Sequence, residues 1–391
     1  MSPTAEQLEI QSLARDFAEG ELRPHSADWD AAQALGEDVF DSLAELGFLG
    51  MTVPEEHGGL GFDTATYLLV LEELARGDAS VALSVAIHSG PVTSLLAHHG
   101  SEAQKARWLP RLAAGDAVGA LALSETDTGG DPSSIDTRAR RDEAGQDGGS
   151  WILDGEKRWV TGASQAGLVV VFARTDEEDG IGAFLVDTSL DGVTVSGRET
   201  TMGFRASETA RLRLEDVRVG SDALLGPADH GRTYAHEALD VARVGIAALS
   251  VGITRAALEH AIRYATEREQ FGRSIARFGA IQGKLADMQQ RVSGARALTH
   301  RAGEAVQALV NGGGPRTGPD GLTARAAVAK LAASEAASWV ADEAVQIFGG
   351  YGYMRDYPVE KLLRDAKGTE IFEGTNEVMR RVIARELLRD T

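Results

Sequence analysis

Cysteine is absent from this 391-residue chain. Disulfides, thiolate nucleophiles and cysteine-ligated metals are thereby excluded, and a reducing, cytoplasmic setting is the one such a sequence suits. Positive charge is in short supply: 39 Lys and Arg face 59 Asp and Glu, for a formal net charge of −20. A surface of that sign argues against nucleic acid and against an anionic membrane as partners. Any anionic ligand must then be met by Arg, Lys or backbone donors gathered locally. His98 and His99 are adjacent, but the histidines are otherwise scattered and never take the H-E-x-x-H spacing, so no metal site is expected. No G-x-G-x-x-G follows a strand-like run, which leaves a dinucleotide-binding Rossmann unit without support. The first residues, Met1-Ser2-Pro3-Thr4-Ala5-Glu6, carry no apolar run and do not read as a signal peptide. No uncharged apolar stretch of about 18 residues stands out, so no membrane span is expected.

What is present is an ordinary globular composition, 43% hydrophobic and 25% charged, at a length that supports several layers around a large core. Residues 4 to 118 read as helical. Leu8, Leu13 and Phe17 recur at helical spacing, Tyr67 to Leu74 continues the pattern, and Val81 to Leu96 reads as a buried helix, with Gly58-Gly59-Leu60-Gly61 as a loop. The character changes between Leu121 and Leu225. Trp151-Ile152-Leu153 and Trp159-Val160 flank Asp154-Gly155, a hairpin-turn signal. Leu168 to Phe172 and Ile181 to Val186 are β-rich, and Ala210, Leu212 and Leu214 alternate with charged residues as in a half-buried strand. The polar, glycine-rich run from Arg138 to Gly149 reads as a solvated hairpin loop. From Asp229 onward, long helical segments follow near 231–267, 280–311, 322–348 and 376–389, with Asn311-Gly312-Gly313-Gly314-Pro315 as a connector. That is the pattern of an antiparallel bundle. The expected fold class is α+β, with a helical domain over 1–119, a β domain over 120–228 and a four-helix bundle over 229–391.

Several residues could carry chemistry, each beside a plainer reading. Glu373 lies between Phe372 and Gly374, just before Thr375 and Asn376, the N-cap candidates of the last helix. A carboxylate so placed can be partly desolvated and raised in pKa, as a general base needs. It can equally be an acid that stabilises a helix start. Leu121, Leu123 and Ser124 form one alternating run, and Trp159 and Thr161 another; on their own, ordinary sheet packing is the favoured reading of both. Arg268 and Phe271 read as one helical turn apart near a helix end, where arginine also serves the helix dipole. Asp240 and Arg243 stand at i, i+3, which also describes a surface ion pair of little worth. Gly349-Gly350-Tyr351-Gly352 looks like a phosphate loop, but helix precedes it, so it reads as a helix stop that allows close backbone approach.

Motifs in a fixed order change that weighting. Pro54-Glu55-Glu56-His57-Gly58-Gly59-Leu60-Gly61, Leu123-Ser124-Glu125, Trp159-Val160-Thr161, Arg268-Glu269-Gln270-Phe271-Gly272, Lys284-Leu285-Ala286-Asp287-Met288, Gln346-Ile347-Phe348-Gly349-Gly350-Tyr351-Gly352, Tyr357-Pro358-Val359-Glu360, Arg364-Asp365-Ala366 and Glu373-Gly374-Thr375 span the chain. Together they resemble the acyl-CoA dehydrogenase family. The resemblance implies a helical domain, a β domain and a four-helix bundle, non-covalent FAD, an acyl-CoA substrate and electron-transferring flavoprotein as acceptor. It implies that Glu373 takes the α-proton while FAD takes the β-hydride, yielding a trans-2-enoyl-CoA. The thioester oxygen would be held by the Glu373 N–H and a flavin ribityl hydroxyl. Some family members place the base on the first bundle helix instead; here that position is Ala242. Leu121, Leu123, Ser124, Trp159 and Thr161 match positions along the flavin ring, and Thr375 and Glu377 match further FAD contacts. Arg268, Phe271, Gln346 and Gly350 match residues that reach a neighbouring subunit's FAD, which implies a homotetramer built as a dimer of dimers. Asp240, Arg243 and Gly374 match the substrate side.

Four departures from the family pattern stand out. Thr126 replaces a usual proline, Gly130 a serine, Gly162 an asparagine, and Gly279 a glutamine that helps bind FAD. These touch cofactor contacts and leave the base in place. An alternative on the same fold is a flavin oxidase or monooxygenase acting on a substrate without CoA; another is a scaffold that has lost its ligand. Retention of Glu373 favours dehydrogenation, and the lack of extra domains favours short or medium, including branched, acyl groups.

Overall fold

The computed structural model describes residues 3–129, 131–142, 149–176 and 180–389. Helices α1 (Ala5–Phe17), α2 (Ser26–Ala32), α3 (Val39–Glu45), α4 (Thr64–Gly77), α5 (Ala79–Ile87), α6 (Thr93–His99) and α7 (Glu102–Ala113) form the first domain. α1 starts in a capping box between Thr4 and Gln7. Its buried face is Gln11, Ala14 and Phe17; the leucines expected to join Phe17 do not, since Leu8 and Leu13 are 51% and 46% exposed. Their five-residue separation turns them off one helical face. α5 continues through a π-helical turn at His88–Val92, which accommodates Pro91, into α6. Contrary to the sequence expectation, two helical stretches, Ala79–His99 and Gly231–Glu267, are long and apolar enough by composition to cross a membrane. Within them 94% and 89% of the apolar window is buried inside the protein, so they are core helices here.

The middle domain contains β1 (Val118–Ala122), β2 (Arg138–Arg141), β3 (Trp151–Thr161), β4 (Ala166–Arg174), β5 (Ile181–Asp187), β6 (Val193–Ser196) and β7 (Thr209–Val219). They form one sheet in the order β1-β4-β2-β3-β7-β6, with β5 added on β4. Asp154-Gly155 is not a hairpin turn. β3 runs through it, and the pairing with β7 shifts register there, as at a β-bulge. Gly155 sits at φ 150, and a Cβ on it would lie 2.6 Å from Thr137 Oγ1. Asp154 Oδ1 accepts the Asp216 N–H at 2.8 Å, so the polar pair serves a bulge. The hairpin is β2 with β3: Arg138–Arg141, expected to be loop, is a strand, and residues 143–148 lie outside the described residues.

The last domain holds α8 (Gly231–Glu267), α9 (Gly279–Val310), α10 (Leu322–Phe348), α11 (Val359–Thr369) and α12 (Asn376–Leu387). α11 escaped the sequence reading because its buried face includes Lys361 and Asp365, paired at 2.8 Å, which breaks an apolar stripe. α4 and α8 approach so closely that a Cβ on Gly252 would lie 2.5 Å from Glu72 O. Beside that contact the fully buried Glu72 is held by Arg255, Arg296 and His300, tying the first domain to the bundle. The β sheet docks between them, with Phe204 N donating to Asp365 Oδ1 at 2.6 Å.

Candidate active site

The loop that joins α11 to α12 carries Glu373 in a left-handed conformation, φ 53, followed by Gly374 at φ 95. Glycine suits the second position because φ 95 is a conformation that L side chains rarely adopt. Thr375 then caps α12, accepting from Val378 N at 3.4 Å; Asn376 is the first helical residue and not the cap. Glu377 is exposed on the first turn, and hydrogen bonds from its own backbone N–H and from Thr375 hold its carboxyl low.

Glu373 and Gly374 share a cavity of about 80 Å³ with Leu123, Ser124, Asp131 and Arg243. Glu373 as a whole is half-buried, but its Oε2 is enclosed and has no hydrogen-bond partner among the described residues. Burial pushes this carboxyl above its ordinary range, and the nearby charges of Arg243 and Lys330 offset only part of the rise. Arg243 Nε donates to Glu373 O at 3.1 Å, and its Nη1 to Asp240 Oδ1 at 3.0 Å. Asp240 and Arg243 are 1% and 6% exposed, so the surface-pair reading is overturned. Thr323 Oγ1 completes the Asp240 shell at 2.7 Å. Ala242, on the same helix, is buried and offers no base.

The opposite wall follows β1. The strand ends at Ala122, so Leu123 and Ser124 lie just past it instead of on it, while Leu121 is half-buried within it. Ser124 O accepts from Arg158 N at 2.9 Å. Beneath this wall the fully buried Lys157 donates to Leu123 O at 3.2 Å and Glu125 Oε1 at 2.7 Å, and burial pushes its ammonium down to about 8. Trp159 sits at a second register shift in β3, at φ 58, and is 45% exposed; its Cζ3 lies 4.0 Å from where a Cβ on Gly129 would stand. Gly129 lines the Glu373 cavity, so this indole flanks it. Thr161, half-buried, ends the strand.

A larger groove of about 1030 Å³ opens from the cavity, sharing Asp131, Leu239, Arg243 and Val378 with it. Arg232, Arg243, Arg316, Arg381, Arg385 and Arg389 line it. Arg243 and Arg316 pair with Asp240, and Arg385 and Arg389 with Glu386, which leaves Arg232 and Arg381 as the groove's arginines without an ion pair among the described residues. None but Arg243 was singled out from sequence, because they come from three separate segments. Lys330 and Lys157 were missed as well; a lone lysine inside Ala326-Ala327-Val328-Ala329-Lys330 was the available signal.

Arg268 and Gly350 line a different groove, of about 510 Å³, with Tyr264, Gln270, Phe348 and Tyr351. α8 stops at Glu267, so Arg268 and Phe271 are not one helical turn apart. Arg268 is the cap, and Phe271 tips a two-stranded hairpin at φ 52, 92% exposed. Arg268 lies 5.5 Å over the Tyr351 ring, and Gln346 is exposed on the last turn of α10. Arg243 and Arg268 are 25 residues apart on α8 (268 − 243), about 37 Å at helical rise. The candidate residues therefore fall into two clusters, one beside the first half of α8 and the other at its C-terminal end.

Of the departures, Gly162 lies at φ 67, a region asparagine and glycine both reach. Thr126 follows Glu125 in a turn closed by Glu125 and Thr128, at the position where proline's fixed φ also fits. Gly279 faces open space, and Gly130 lies outside the described residues.

The chain matches the acyl-CoA dehydrogenase N-terminal domain over residues 4–116, the middle domain over 120–217 and the C-terminal domain over 229–388. The short-chain specific acyl-CoA dehydrogenase of Bos taurus mitochondria is 40% identical over 383 residues, 97% of this chain and 89% of that one. Butyryl-CoA dehydrogenase from Megasphaera elsdenii superposes with a TM-score of 0.92 at 37% identity, covering 98% of each chain. A glutaryl-CoA dehydrogenase from Mycobacterium smegmatis in complex with FADH2 does so at 0.90 and 31%, covering 99% and 96%. A structure named for the electron transferring flavoprotein of Acidaminococcus fermentans matches at 0.94 and 39%, over 100% of both chains. With three consecutive domain matches and a relative 40% identical over nearly its whole length, this chain belongs to the acyl-CoA dehydrogenase family of oxidoreductases.

Proposed function

We propose that the protein is an FAD-dependent dehydrogenase of short- or medium-chain acyl-CoA thioesters, with Glu373 as the base that takes the α-proton. The observation that carries this is the enclosed Oε2 of Glu373, without a hydrogen-bond partner among the described residues, in a cavity that opens onto an arginine-lined groove. The groove suits the phosphates of CoA, and the narrow cavity suits the thioester end. Asp240, Arg243 and Gly374 stand where the two meet.

The residues present fit FAD. An exposed indole at a strained backbone angle, Trp159, flanks the base cavity beside Ser124; Leu121 lies in β1, Leu123 just past it and Thr161 at the end of β3. Thr375 and Glu377 approach from α12. When bound, FAD supplies the acceptor for the β-hydride. Everything else falls to the chain. Glu373 accepts the α-proton on its carboxylate while the C–H bond electrons enter the forming double bond of a trans-2-enoyl-CoA. Arg243 fixes the Glu373 carbonyl and so the direction of the carboxyl. Leu123, Ile135 and Leu239 give the cavity apolar walls that would limit water around the carbanion-like state. The second cluster, Arg268, Phe271, Gln346 and Gly350, serves a neighbouring subunit's FAD, and electron-transferring flavoprotein takes the electrons onward.

Because burial raises the Glu373 carboxyl, and the base must be deprotonated, flavin reduction should increase with pH through that raised value. Glu373→Gln keeps size and polarity but cannot accept the proton. It should retain FAD and thioester binding while slowing anaerobic flavin bleaching by about 10²–10⁴-fold or more. Rapid mixing with butyryl-CoA reads this directly. Bleaching within about tenfold of wild type would remove general-base catalysis by Glu373, and fast reoxidation of the reduced flavin by air would favour an oxidase.

A further inference from the structure

We propose that Lys330 is a positioning residue for the base: its buried ammonium holds Gly374 O and Asn376 Oδ1, locking the left-handed turn that aims Glu373 into the cavity. The inference rests on the reading of Glu373 as the base and deepens it.

Lys330 lies in an alanine-rich stretch of α10 and has no exposed surface. Burying an ammonium among alanines is costly unless its donors are used. They are: Nζ donates to Gly374 O at 2.8 Å and to Asn376 Oδ1 at 3.0 Å. Ser334, one turn along α10, places its Oγ 3.0 Å from the same Asn376 oxygen, which fixes the amide's orientation. Both Lys330 acceptors are neutral oxygens, so its charge is not cancelled by a hydrogen-bonded carboxylate.

The loop needs such a clamp. Glu373 at φ 53 and Gly374 at φ 95 are consecutive left-handed residues. A non-glycine residue persists there only where its surroundings over-determine it. Arg243 holds the carbonyl of Glu373 from α8, and Lys330 holds the next carbonyl from α10. Two cations on two helices thus grip successive peptide units beside the carboxyl. The groups that act on Glu373 are Arg243 and Lys330, and those that act on Lys330 are Arg243, Glu373, Glu370 and Glu377. Burial and Arg243 push the Lys330 ammonium down to about 8, while the three glutamates favour its charge.

The test uses the FAD-loaded enzyme and three variants. Lys330→Met keeps length and removes both charge and donors. Lys330→Arg keeps the charge but not the donor geometry. Glu373→Gln reports on the base itself. A misplacement on the order of 1 Å should slow flavin reduction by butyryl-CoA about 10²-fold in Lys330→Met, at the pH where its rate is highest, with butyryl-CoA affinity near wild type. The acid limb should move to higher pH, because loss of a nearby positive charge makes Glu373 harder to deprotonate. Lys330→Arg should leave that limb in place while still lowering the plateau. Amide hydrogen exchange, which needs no turnover, should rise in the segment from Phe372 to Val378 more than elsewhere in α10 and α12. If Lys330→Met does not fold, the plateau and exchange of Lys330→Arg decide. Wild-type plateau and exchange in the folded variants, with only the melting temperature lowered, would overturn the positioning role and leave Lys330 as a support of the fold. Normal bleaching in Glu373→Gln would instead overturn the base reading.

Discussion

A weakly acidic C–H bond is best attacked by a carboxylate that has been denied water but not yet neutralised by a partner. Glu373 meets that requirement through its backbone as much as its side chain. The left-handed φ of 53 turns Oε2 inward. The residue was legible because Glu, Gly and a helix-capping Thr stand in sequence order, and order is all a local motif needs. The arginines of the groove were not, since Arg232, Arg316 and Arg381 meet only once α8, the α9–α10 connector and α12 have packed. Arg232 and Arg381 line that groove without an ion pair among the described residues. If the groove takes the CoA phosphates, Arg381→Ala should raise KM for butyryl-CoA about tenfold, the loss of one charge-assisted hydrogen bond, and leave kcat unchanged. The same acyl group on N-acetylcysteamine lacks the nucleotide and should show no such change. Equal effects on both thioesters would place Arg381 outside nucleotide binding.

At the scale of elements, junctions carried what periodicity could not show. Helices α8 and α10 end where their apolar patterns end, because tertiary packing and local pattern agree there. Asp154-Gly155 misled because the same dipeptide serves a turn or a bulge, and the choice depends on Asp216 across the sheet. His88 is a junction of that kind. In the π-helical turn, its Nδ1 accepts Gly119 N–H from β1 at 2.9 Å, and its Nε2 lies 3.1 Å from Leu49 O. The ring must be neutral to do both, and burial pushes it down to about 4. Its folded-state value is thus below the usual 6.5, so the unfolded chain binds the extra proton first. Stability from this group is full above about pH 6.5 and is lost as pH falls toward 4, by about 2 kcal/mol between pH 7 and 5. His88→Gln should be less stable at pH 7 yet lose less on acidification. Denaturant unfolding of both proteins at pH 7 and pH 5 checks the slopes; parallel slopes would show that His88 does not couple the domains to pH.

The whole molecule poses a problem that no single chain solves. One cluster of flavin-type residues surrounds Glu373, and the other, around Arg268 and Gly350, lies about 37 Å away along α8. The domain order was legible from composition and periodicity alone, but the separation of these clusters was not, because it is set by the length of α8. An exposed Phe271 at φ 52 and an aromatic shelf of Tyr264, Phe348 and Tyr351 stand at that second cluster. The proposed twofold pairing of chains would let each copy offer its Arg268 end to the other's Glu373 end, and closed symmetry would give an even number of subunits. The net charge of −20 opposes close approach, so attraction must come from the local contacts around this shelf, and salt should ease assembly. If the second cluster does serve a neighbour's FAD, Arg268→Ala and Phe271→Ala should lower FAD retention and shift the proposed tetramer toward smaller species together, while the Glu373 cavity stays intact. Light scattering coupled to flavin absorbance measures both quantities on one sample. A monomer that retains stoichiometric FAD and bleaches with butyryl-CoA at the wild-type rate would show that the second cluster has another purpose.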